Sequence, residues 1–426
     1  MKRWILIGTI LVGTLVSVFG LNGTVVTDVT PTAALVSIQG PGSAQVEELS
    51  SRTTTQGIVS DSWSLSDALA LSGTGWMLLD SLPSNNPTQV PDGRLDLSSR
   101  LLQLEAKWQI IPGALVLDMG KQIIHPSSGF FKTPLNLLTR GAAGNTPQQT
   151  PAASPQWEEG WWGVKIIGLL GDWTLEDFVA PPLTWPDSTD AILQYVSLQQ
   201  SDLSNQVRLD WHWGVADIQV LNLLTVNDLG TSSSSMHDQT GLGFDTNVGD
   251  HLTVRAEATM ADSLSRLAVL NATAQTSASQ SLSWVPKALV GATWSINNDV
   301  SFVGEYYYDG LGFTGNDYTS ALQYATNRLN SGSLSPDVAG QFGNFSLAEN
   351  YVFFRLMDSF TDQISGQAWT EINLQDISGM YGLGLATTYD HWGLSGSLTE
   401  TWGADGTEGE VLPFLWQVDL EVQFYF

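Results

Sequence analysis

The chain has 426 residues, with 16 lysines and arginines against 43 aspartates and glutamates, and a formal net charge of −27. It has no cysteine, which excludes disulfide scaffolds and thiolate metal sites, and its acidity disfavours nucleic-acid binding. Only 14% of the residues are charged, against about 25% in an ordinary soluble domain. With 41 glycines and 17 tryptophans, this composition suits a protein whose outer surface faces lipid.

Residues 1–20 have the features of a secretory signal peptide. Lys2 and Arg3 precede an apolar run, and residues 18–20 provide a cleavage site that ends in Gly20. We expect 21–426 to be the mature chain, and an uncleaved anchor helix is the alternative. No later run of about 20 apolar residues occurs, so a helical membrane protein is not expected.

The rest of the chain alternates polar and apolar residues, which is the pattern of β-strands with one wet and one apolar face. In 206–213, for example, Arg208 and Asp210 alternate with Leu209 and Trp211. These segments are about ten residues long, the length that a tilted strand needs to cross a bilayer. Their apolar positions carry tryptophans near the strand ends, as in the aromatic girdles of membrane barrels. A soluble β-sandwich with tryptophans in its core is the alternative.

Seven pairs of alternating segments flank short turns that are rich in Gly, Asn and Asp, the residues that adopt the φ > 0 conformations of hairpins. Long polar connections separate the pairs, and short turns at one end with long loops at the other are typical of bacterial outer-membrane barrels. The predicted hairpins are 101–110 with 114–124, 161–170 with 173–179, 207–213 with 217–226, 240–248 with 252–260, 287–296 with 300–309, 351–356 with 364–373, and 381–389 with 392–402.

With a terminal strand at 414–426, parity requires an odd number of strands before residue 101. Three strands, near 33–38, within 47–59 and within 65–79, give 18 in total, and a single strand gives 16. We therefore expect an all-β protein, a transmembrane antiparallel up-and-down β-barrel of about 18 strands. Either count gives a barrel wide enough for a water-filled channel.

The C-terminal segment 418–426 resembles the terminal strand of bacterial outer-membrane proteins. It ends in Phe424, Tyr425 and Phe426, and the resemblance implies that these residues are read by the barrel-assembly machinery. The resemblance also implies localisation in the outer membrane of a Gram-negative-type bacterium.

A second stretch is similar to the alginate-export-type group of porins. It contains Leu-Asp-Met-Gly-Lys-Gln at 117–122 and Thr-Pro-Leu-Asn at 133–136. His-Pro at 125–126 stands where that group has Trp-Gly. The loop that follows often narrows the pore in such proteins, so we expect part of 126–160 to fold into the barrel. A surface loop is the alternative.

If the apolar positions face lipid, the alternate positions line the pore, where charges are costly against lipid but not against water. The pore-lining candidates are Glu105, Lys107, Asp118, Lys165, Arg208, Asp210, Arg255, Glu257, Glu305, Arg355 and Glu371, and Glu176, Asp245, Asp419 and Glu421 share their phase. The acidic members outnumber the basic ones, which predicts a mild preference for cations. Alternatively, these charges pair and simply solvate the lumen. Lys121 falls on the apolar phase, a conflict that a β-bulge would remove.

Catalytic patterns are absent from the sequence. The five histidines lack metal-ligand spacing, and no G-x-S-x-G motif occurs, so we expect neither an enzyme nor a cofactor or metal site. The sequence predicts a porin that lets small hydrophilic solutes or ions diffuse through the outer membrane. Its expected partners are membrane lipid, the assembly machinery and the solutes, and a homo-oligomer stays open. A closed-lumen structural or surface-binding barrel is the alternative.

Overall fold

The computed structural model describes most of the strands and short turns of the chain. The described residues are 22–30, 33–34, 48–49, 52–66, 68–81, 95–124, 134–135, 160–182, 202–227, 235–262, 264–271, 276–330, 347–390, 392–404, 406–411 and 416–425. The expected signal peptide, most of 126–160 and Phe426 lie outside them. No helix in this described part is long and apolar enough to span a bilayer.

β-strands make up most of these residues. In chain order they are β1 (Asn22–Thr30), β2 (Ala33–Ala34), β3 (Glu48–Leu49), β4 (Arg52–Ser66), β5 (Leu69–Ser81), β6 (Leu95–Ile111), β7 (Leu115–Gln122), β8 (Trp161–Leu170), β9 (Trp173–Ala180), β10 (Leu203–Trp213), β11 (Ala216–Asn227), β12 (Ser235–Val248), β13 (Leu252–Ala261), β14 (Leu264–Asn271), β15 (Thr276–Leu282), β16 (Val285–Ser295), β17 (Val300–Asp309), β18 (Asn350–Thr361), β19 (Ile364–Asn373), β20 (Ser378–Thr388), β21 (Trp392–Trp402) and β22 (Trp416–Tyr425). A helix, α1 (Gly315–Asn330), follows β17, and a short helix, α2 (Glu408–Val411), precedes β22.

Fifteen strands, β5 to β13 and β16 to β21, form one antiparallel up-and-down sheet in chain order. All seven predicted hairpins are paired within this sheet. Glycines make the tight turns, because they adopt positive φ without steric cost: Gly171 has φ of 63° between β8 and β9, and Gly249 has φ of 69° between β12 and β13.

Three further strands pair by their backbones at the two ends of this sheet. β4 pairs with β5, and β22 pairs with β21. β1 pairs with both β4 and β22. Each of these pairings is antiparallel, as are those of the fifteen-strand sheet.

The N-terminal strands differ in place from the sequence prediction. Of the segment near 33–38, only the two residues of β2 are strand among the described residues. The strand that pairs with the sheet is instead β1, whose β-branched residues (NGTVVTDVT) favour extended backbone. The strands expected within 47–59 and 65–79 are β4 and β5, which extend past the predicted windows to Ser66 and Ser81.

Two predicted long connections contain secondary structure of their own. The connection 261–286 holds the hairpin of β14 and β15, and the connection 310–347 holds α1. Side chains of α1 spaced three and four residues apart, Tyr318, Ala321, Leu322 and Ala325, are buried. This is the apolar stripe of an amphipathic helix packed against a wall.

The two faces of the sheet have opposite chemistry. We call the face that carries Asp118, Arg255 and Glu371 the charged face; these side chains are 2%, 4% and 1% exposed. The other, apolar face carries large exposed hydrophobic residues, such as Leu170 at 71% and Leu242 at 56%. Soluble proteins distribute these side chains the other way round.

Aromatic side chains crowd the apolar face next to the short turns. The indole rings of Trp173 and Trp211 stack with centroids 5.0 Å apart, and those of Trp211 and Trp213 stack at 5.5 Å. Trp108 and Trp294 are also exposed at strand ends of the same side. Such a belt is typical of a membrane–water interface.

Candidate functional site

Strand register places all eleven predicted pore-lining residues on the charged face. Residues directly opposite each other on neighbouring strands share a face, and Asp118 lies opposite both Lys107 and Lys165. Further along the sheet, on the same face, Gly291 of β16 lies opposite both Arg255 of β13 and Glu305 of β17. The same relation, with the period of two along each strand, extends to Glu105, Arg208, Asp210, Glu257, Arg355 and Glu371.

Between β7 and β11 the charges of this face form a partly exposed network. Lys165 Nζ lies 3.6 Å from Asp118 Oδ2. Arg208 Nε donates to Asp210 Oδ2 at 2.7 Å, and its Nη1 lies 3.6 Å from Glu176 Oε2. The side chains of Arg208 and Glu176 keep 22% and 18% of their surface exposed. Positive and negative groups therefore alternate here in contact with solvent.

Beside the short turn between β10 and β11, His212 and Asp217 form a hydrogen-bonded pair. His212 Nδ1 contacts Asp217 Oδ1, and both side chains are more than half exposed. They share the face of Asp210, because Asp217 is the register partner of His212. This region of the charged face is open to water.

Between β13 and β19 the predicted pore-lining residues are buried. Arg255 Nη1 lies 3.5 Å from Glu305 Oε1, and its Nη2 donates to Thr293 Oγ1 at 2.6 Å. Arg355 and Glu371 are buried on the adjacent strands β18 and β19. The sequence placed these residues on one face but gave no sign that they are withdrawn from solvent.

Lys121 stays on the apolar phase in the strand register, opposite Leu104 and Trp162, and it is nevertheless buried. Gly120 has φ of 126°, a region that L side chains rarely adopt. The alternation of exposed and buried side chains breaks there, and both Lys121 and Gln122 are fully buried. The expected β-bulge is not present in β7, because its register with β6 and β8 runs through Gly120 and Lys121 without a shift; the irregularity is a positive-φ glycine.

One described point of the connection 126–160 contacts the charged face. Leu135 is 1% exposed, and its backbone N–H donates to Glu257 Oε2 at 3.4 Å. Its side chain occupies the space above two glycines of β12, since an added Cβ would lie 2.4 Å from Leu135 Cδ2 at Gly241 and 2.8 Å from its Cδ1 at Gly243. The glycines make room for the leucine.

Further along the sheet, α1 packs against the charged face of β16 to β20. The buried side of the helix joins Leu289, Tyr307, Phe353, Trp369 and Met380 in one apolar cluster. These five wall residues lie in register phase with the charged candidates. The half of these strands at the ends joined by the long connections is therefore covered by a dry layer.

Glu408, the first residue of α2, joins the parts of this layer. Its Oε1 accepts a hydrogen bond from the backbone N–H of Leu347 at 2.8 Å. Its Oε2 accepts from Tyr351 Oη at 3.0 Å and from Asn373 Nδ2 at 2.6 Å. The carboxylate is 1% exposed, so three donors from three segments replace its hydration.

Asp376, in the turn between β19 and β20, ties α1 to the same cluster. Its Oδ2 accepts from Tyr318 Oη at 2.5 Å and from the backbone N–H of Glu408 at 2.7 Å. Burial first, and the nearby Glu408 carboxylate second, raise the pKa of Tyr318 well above its usual range. Tyr318 therefore stays protonated and donates.

Sequence reasoning missed Glu408, Asp376 and Tyr318, because their partners are far apart in the chain. The spacing of Tyr318, Leu322 and Ala325 was the available signal for the helix. In the described part of the chain, no group of three or more His, Asp or Glu side chains is placed to hold a metal ion.

Comparisons with known proteins give structural likeness only. No family model matches the chain, and no curated protein matches it. Among solved structures, a triple-mutant porin of Rhodopseudomonas blastica is 10% identical, with 95% of this chain and 99% of that chain covered and a TM-score of 0.45. OmpF of Salmonella typhi in complex with daunomycin is 9% identical, with 95% and 97% covered and a TM-score of 0.49. At these identities and scores the likeness assigns no family and no function.

Proposed function

We propose that this protein is an outer-membrane porin that lets small hydrophilic solutes or ions diffuse passively through a closed β-barrel. The observation that carries the proposal is the inverted burial of the sheet. Glu371 is 1% exposed on one face while Leu242 is 56% exposed on the other. A sheet with such faces is stable when lipid covers the apolar face and a polar interior faces the charges.

Closure into a barrel of 18 strands is supported by the backbone pairings of β1. Because β1 pairs with both β4 and β22, no strand of the sheet order is left with an open edge among the described residues. Open edges are not tolerated in hydrocarbon, since their N–H and C=O groups would be unsatisfied. The alternative count of 16 would leave two of these paired strands outside the barrel.

Reconstitution into planar bilayers tests the channel. We expect discrete single-channel steps from the purified protein, and a reversal potential in a salt gradient that mildly favours cations. A barrel that inserts, as judged by β-rich circular dichroism in vesicles, but passes no current would have a closed lumen instead. A reversal potential that favours anions would contradict the cation preference while leaving the channel intact.

We also propose that the connection 126–160 narrows the pore, supported by the buried contact of Leu135 with Glu257. Removing residues 141–154 should raise single-channel conductance, because less chain would then occupy the interior. Unchanged conductance would mean that the connection is a surface loop. Gly241→Val provides a point variant with the same purpose, since the added side chain would displace Leu135.

The remaining parts of the proposal concern export and assembly. Cleavage after Gly20 would deliver the chain to the periplasm, and the terminal Phe424-Tyr425-Phe426 would present it to the assembly machinery. Edman sequencing of the protein from outer-membrane fractions should begin at Leu21. A start at Met1 would indicate an anchored chain. Cross-linking in the membrane would report whether the barrel forms homo-oligomers.

A further inference from the structure

We propose that solutes pass along only one side of the interior, the wall formed by β8 to β11, because α1 seals the opposite wall and Glu408 holds α1 in place. The inference rests on the proposed channel function and names the residues that its solutes meet. We call Glu176, Arg208, His212 and Asp217 the path wall, and Glu305, Arg355 and Glu371 the sealed wall.

The end of the β8 to β11 wall near the long connections is also buried, at Phe178, Ala180 and Leu223. Nearer the short turns, however, the charges of the two walls differ in their access to water. Glu176 and Arg208 keep 18% and 22% of their side chains exposed, and the pair of His212 and Asp217 is more than half exposed. On the sealed wall Glu305, Arg355 and Glu371 are all buried. A side chain that water cannot touch cannot hydrate or discriminate a passing ion.

The cover of the sealed wall is apolar and continuous. Phe353 and Trp369 lie on the same face as Arg355 and Glu371, two residues away on the same strands. Their rings pack with centroids 6.3 Å apart. Both belong to the cluster that contains the buried side of α1. Large rings in such a layer remove a wide area from water, so the helix closes this half of the interior to hydrophilic solutes.

Glu408 is the point at which this cover is fastened. It binds the segment before β18 through Leu347, β18 through Tyr351 and β19 through Asn373. Asn373 Nδ2 also lies 2.9 Å from Tyr318 Oη of α1, and Tyr318 reaches Asp376. Loss of the carboxylate would leave buried donors without an acceptor, which destabilises the closed arrangement.

Cysteine accessibility distinguishes the two walls, because the natural chain has no cysteine that would react in the background. Glu176→Cys and Glu371→Cys make the same change at one glutamate of each wall. In vesicles, a small charged methanethiosulfonate reagent should label the first readily and the second at least about tenfold more slowly, since protected sites react only through opening. Met380→Cys serves as a second sealed reporter if the glutamate variant does not assemble.

Release of the fastening should open the sealed wall. Glu408→Ala, added to Glu371→Cys, should bring labelling close to the rate of Glu176→Cys and raise conductance. Tyr318→Phe, which removes the hydroxyl but keeps the ring, should act in the same direction and replaces Glu408→Ala if that variant does not assemble.

Two results would overturn the inference. Equal labelling of the two cysteines with Glu408 intact would mean that the β16 to β20 wall is also open. Slow labelling at Glu371→Cys that neither Glu408→Ala nor Tyr318→Phe changes would mean that Glu408 does not hold the cover. Labelling is read by mass and needs no current, so a barrel that does not conduct would contradict the proposed function separately.

Discussion

At Gly120 a single residue disturbs the alternation of buried and exposed side chains along β7. Its φ of 126° breaks the period of two, so that Lys121 and Gln122 are both buried. Gln122 Nε2 then donates to the carbonyl groups of Asp118 and Gly163 at 3.1 and 3.3 Å. A β-carbon at residue 120 would lie 1.9 Å from the carbonyl oxygen of Leu104, so no other residue fits there without movement of the backbone.

We expect Gly120→Ala to destabilise the protein by clearly more than Gly113→Ala. Gly113 also has positive φ, at 72°, but an added β-carbon would meet nothing within 4 Å. Its substitution should therefore cost only the conformational strain, about 1 kcal/mol. Tryptophan fluorescence during guanidinium unfolding in detergent measures both variants. Equal losses would show that the strand can shift away from Leu104.

A second prediction concerns the buried pair of Arg255 and Glu305. Their side chains are 5% and 0% exposed, and removal of one partner of a buried pair typically costs about 3–5 kcal/mol. Arg255→Met should show this loss in the same unfolding experiment. Lys287→Met, which removes the more exposed partner of Asp309, should cost about 1 kcal/mol or less. Similar losses would mean that water reaches Arg255 in the native protein.

At the scale of elements, two connections fold onto the charged face of the sheet at different strands. Leu135 lies on the glycines of β12, and α1 lies on the aromatic side chains of β17 to β19. In the first contact a leucine fills the space above glycines that lack a side chain. In the second, an apolar cluster is held by hydrogen bonds between polar groups.

Ala325→Asp tests the packing of α1. Ala325 is fully buried, so a carboxylate there should detach the helix from the wall and raise single-channel conductance. Limited trypsin digestion after Arg328 should become faster at the same time. Gln323→Asp, on the exposed side of the helix, introduces the same side chain at a smaller helix-propensity cost and should change neither result. If both variants behaved alike, helix propensity rather than packing would control the digestion.

At the scale of the whole molecule, the exposed hydrophobic residues of the apolar face are distributed as on a surface that contacts a non-aqueous phase. Leu242, Val290, Leu383 and Leu385 are each more than half exposed. Exposed patches of this kind on monomers in water are rare and mark sites of contact. Since they recur on strands spread across the sheet, a surrounding lipid phase accounts for them better than a local partner.

Leu242→Arg measures that environment directly. In the middle of a lipid-facing strand the substitution should cost about 2–4 kcal/mol, whereas Val248→Arg, on the same face next to a turn, should cost about 0–1 kcal/mol. Denaturant titration of folding into vesicles gives both values. If water covered this face, both substitutions would fall within about 0.5 kcal/mol, and the membrane orientation would be wrong.

The hairpins were predictable because each depends on local signals, namely alternation and a Gly, Asn or Asp turn. The strand Trp161–Leu170 agrees with its prediction to the residue. The position of β1 was missed, because its partners β4 and β22 are distant in the chain. The phase of charges such as Glu305 was also readable, but their burial was not, since it depends on which connection folds over them.

The pairing of β1 with β22 has a consequence for the order in which the chain can assemble. The first and last strands of the sheet are register partners, with Val25 opposite Phe424. The backbone hydrogen bonds between β1 and β22 cannot form until the last strand has been synthesised, so the sheet cannot be completed during synthesis. Because the two strands are neighbours, a covalent link between them would leave the pairing of the sheet unchanged. A circular permutant could join the C-terminal end of β22 to the N-terminal end of β1 and begin at a tight turn, such as Gly171. Every strand would then keep the same neighbours in the sheet.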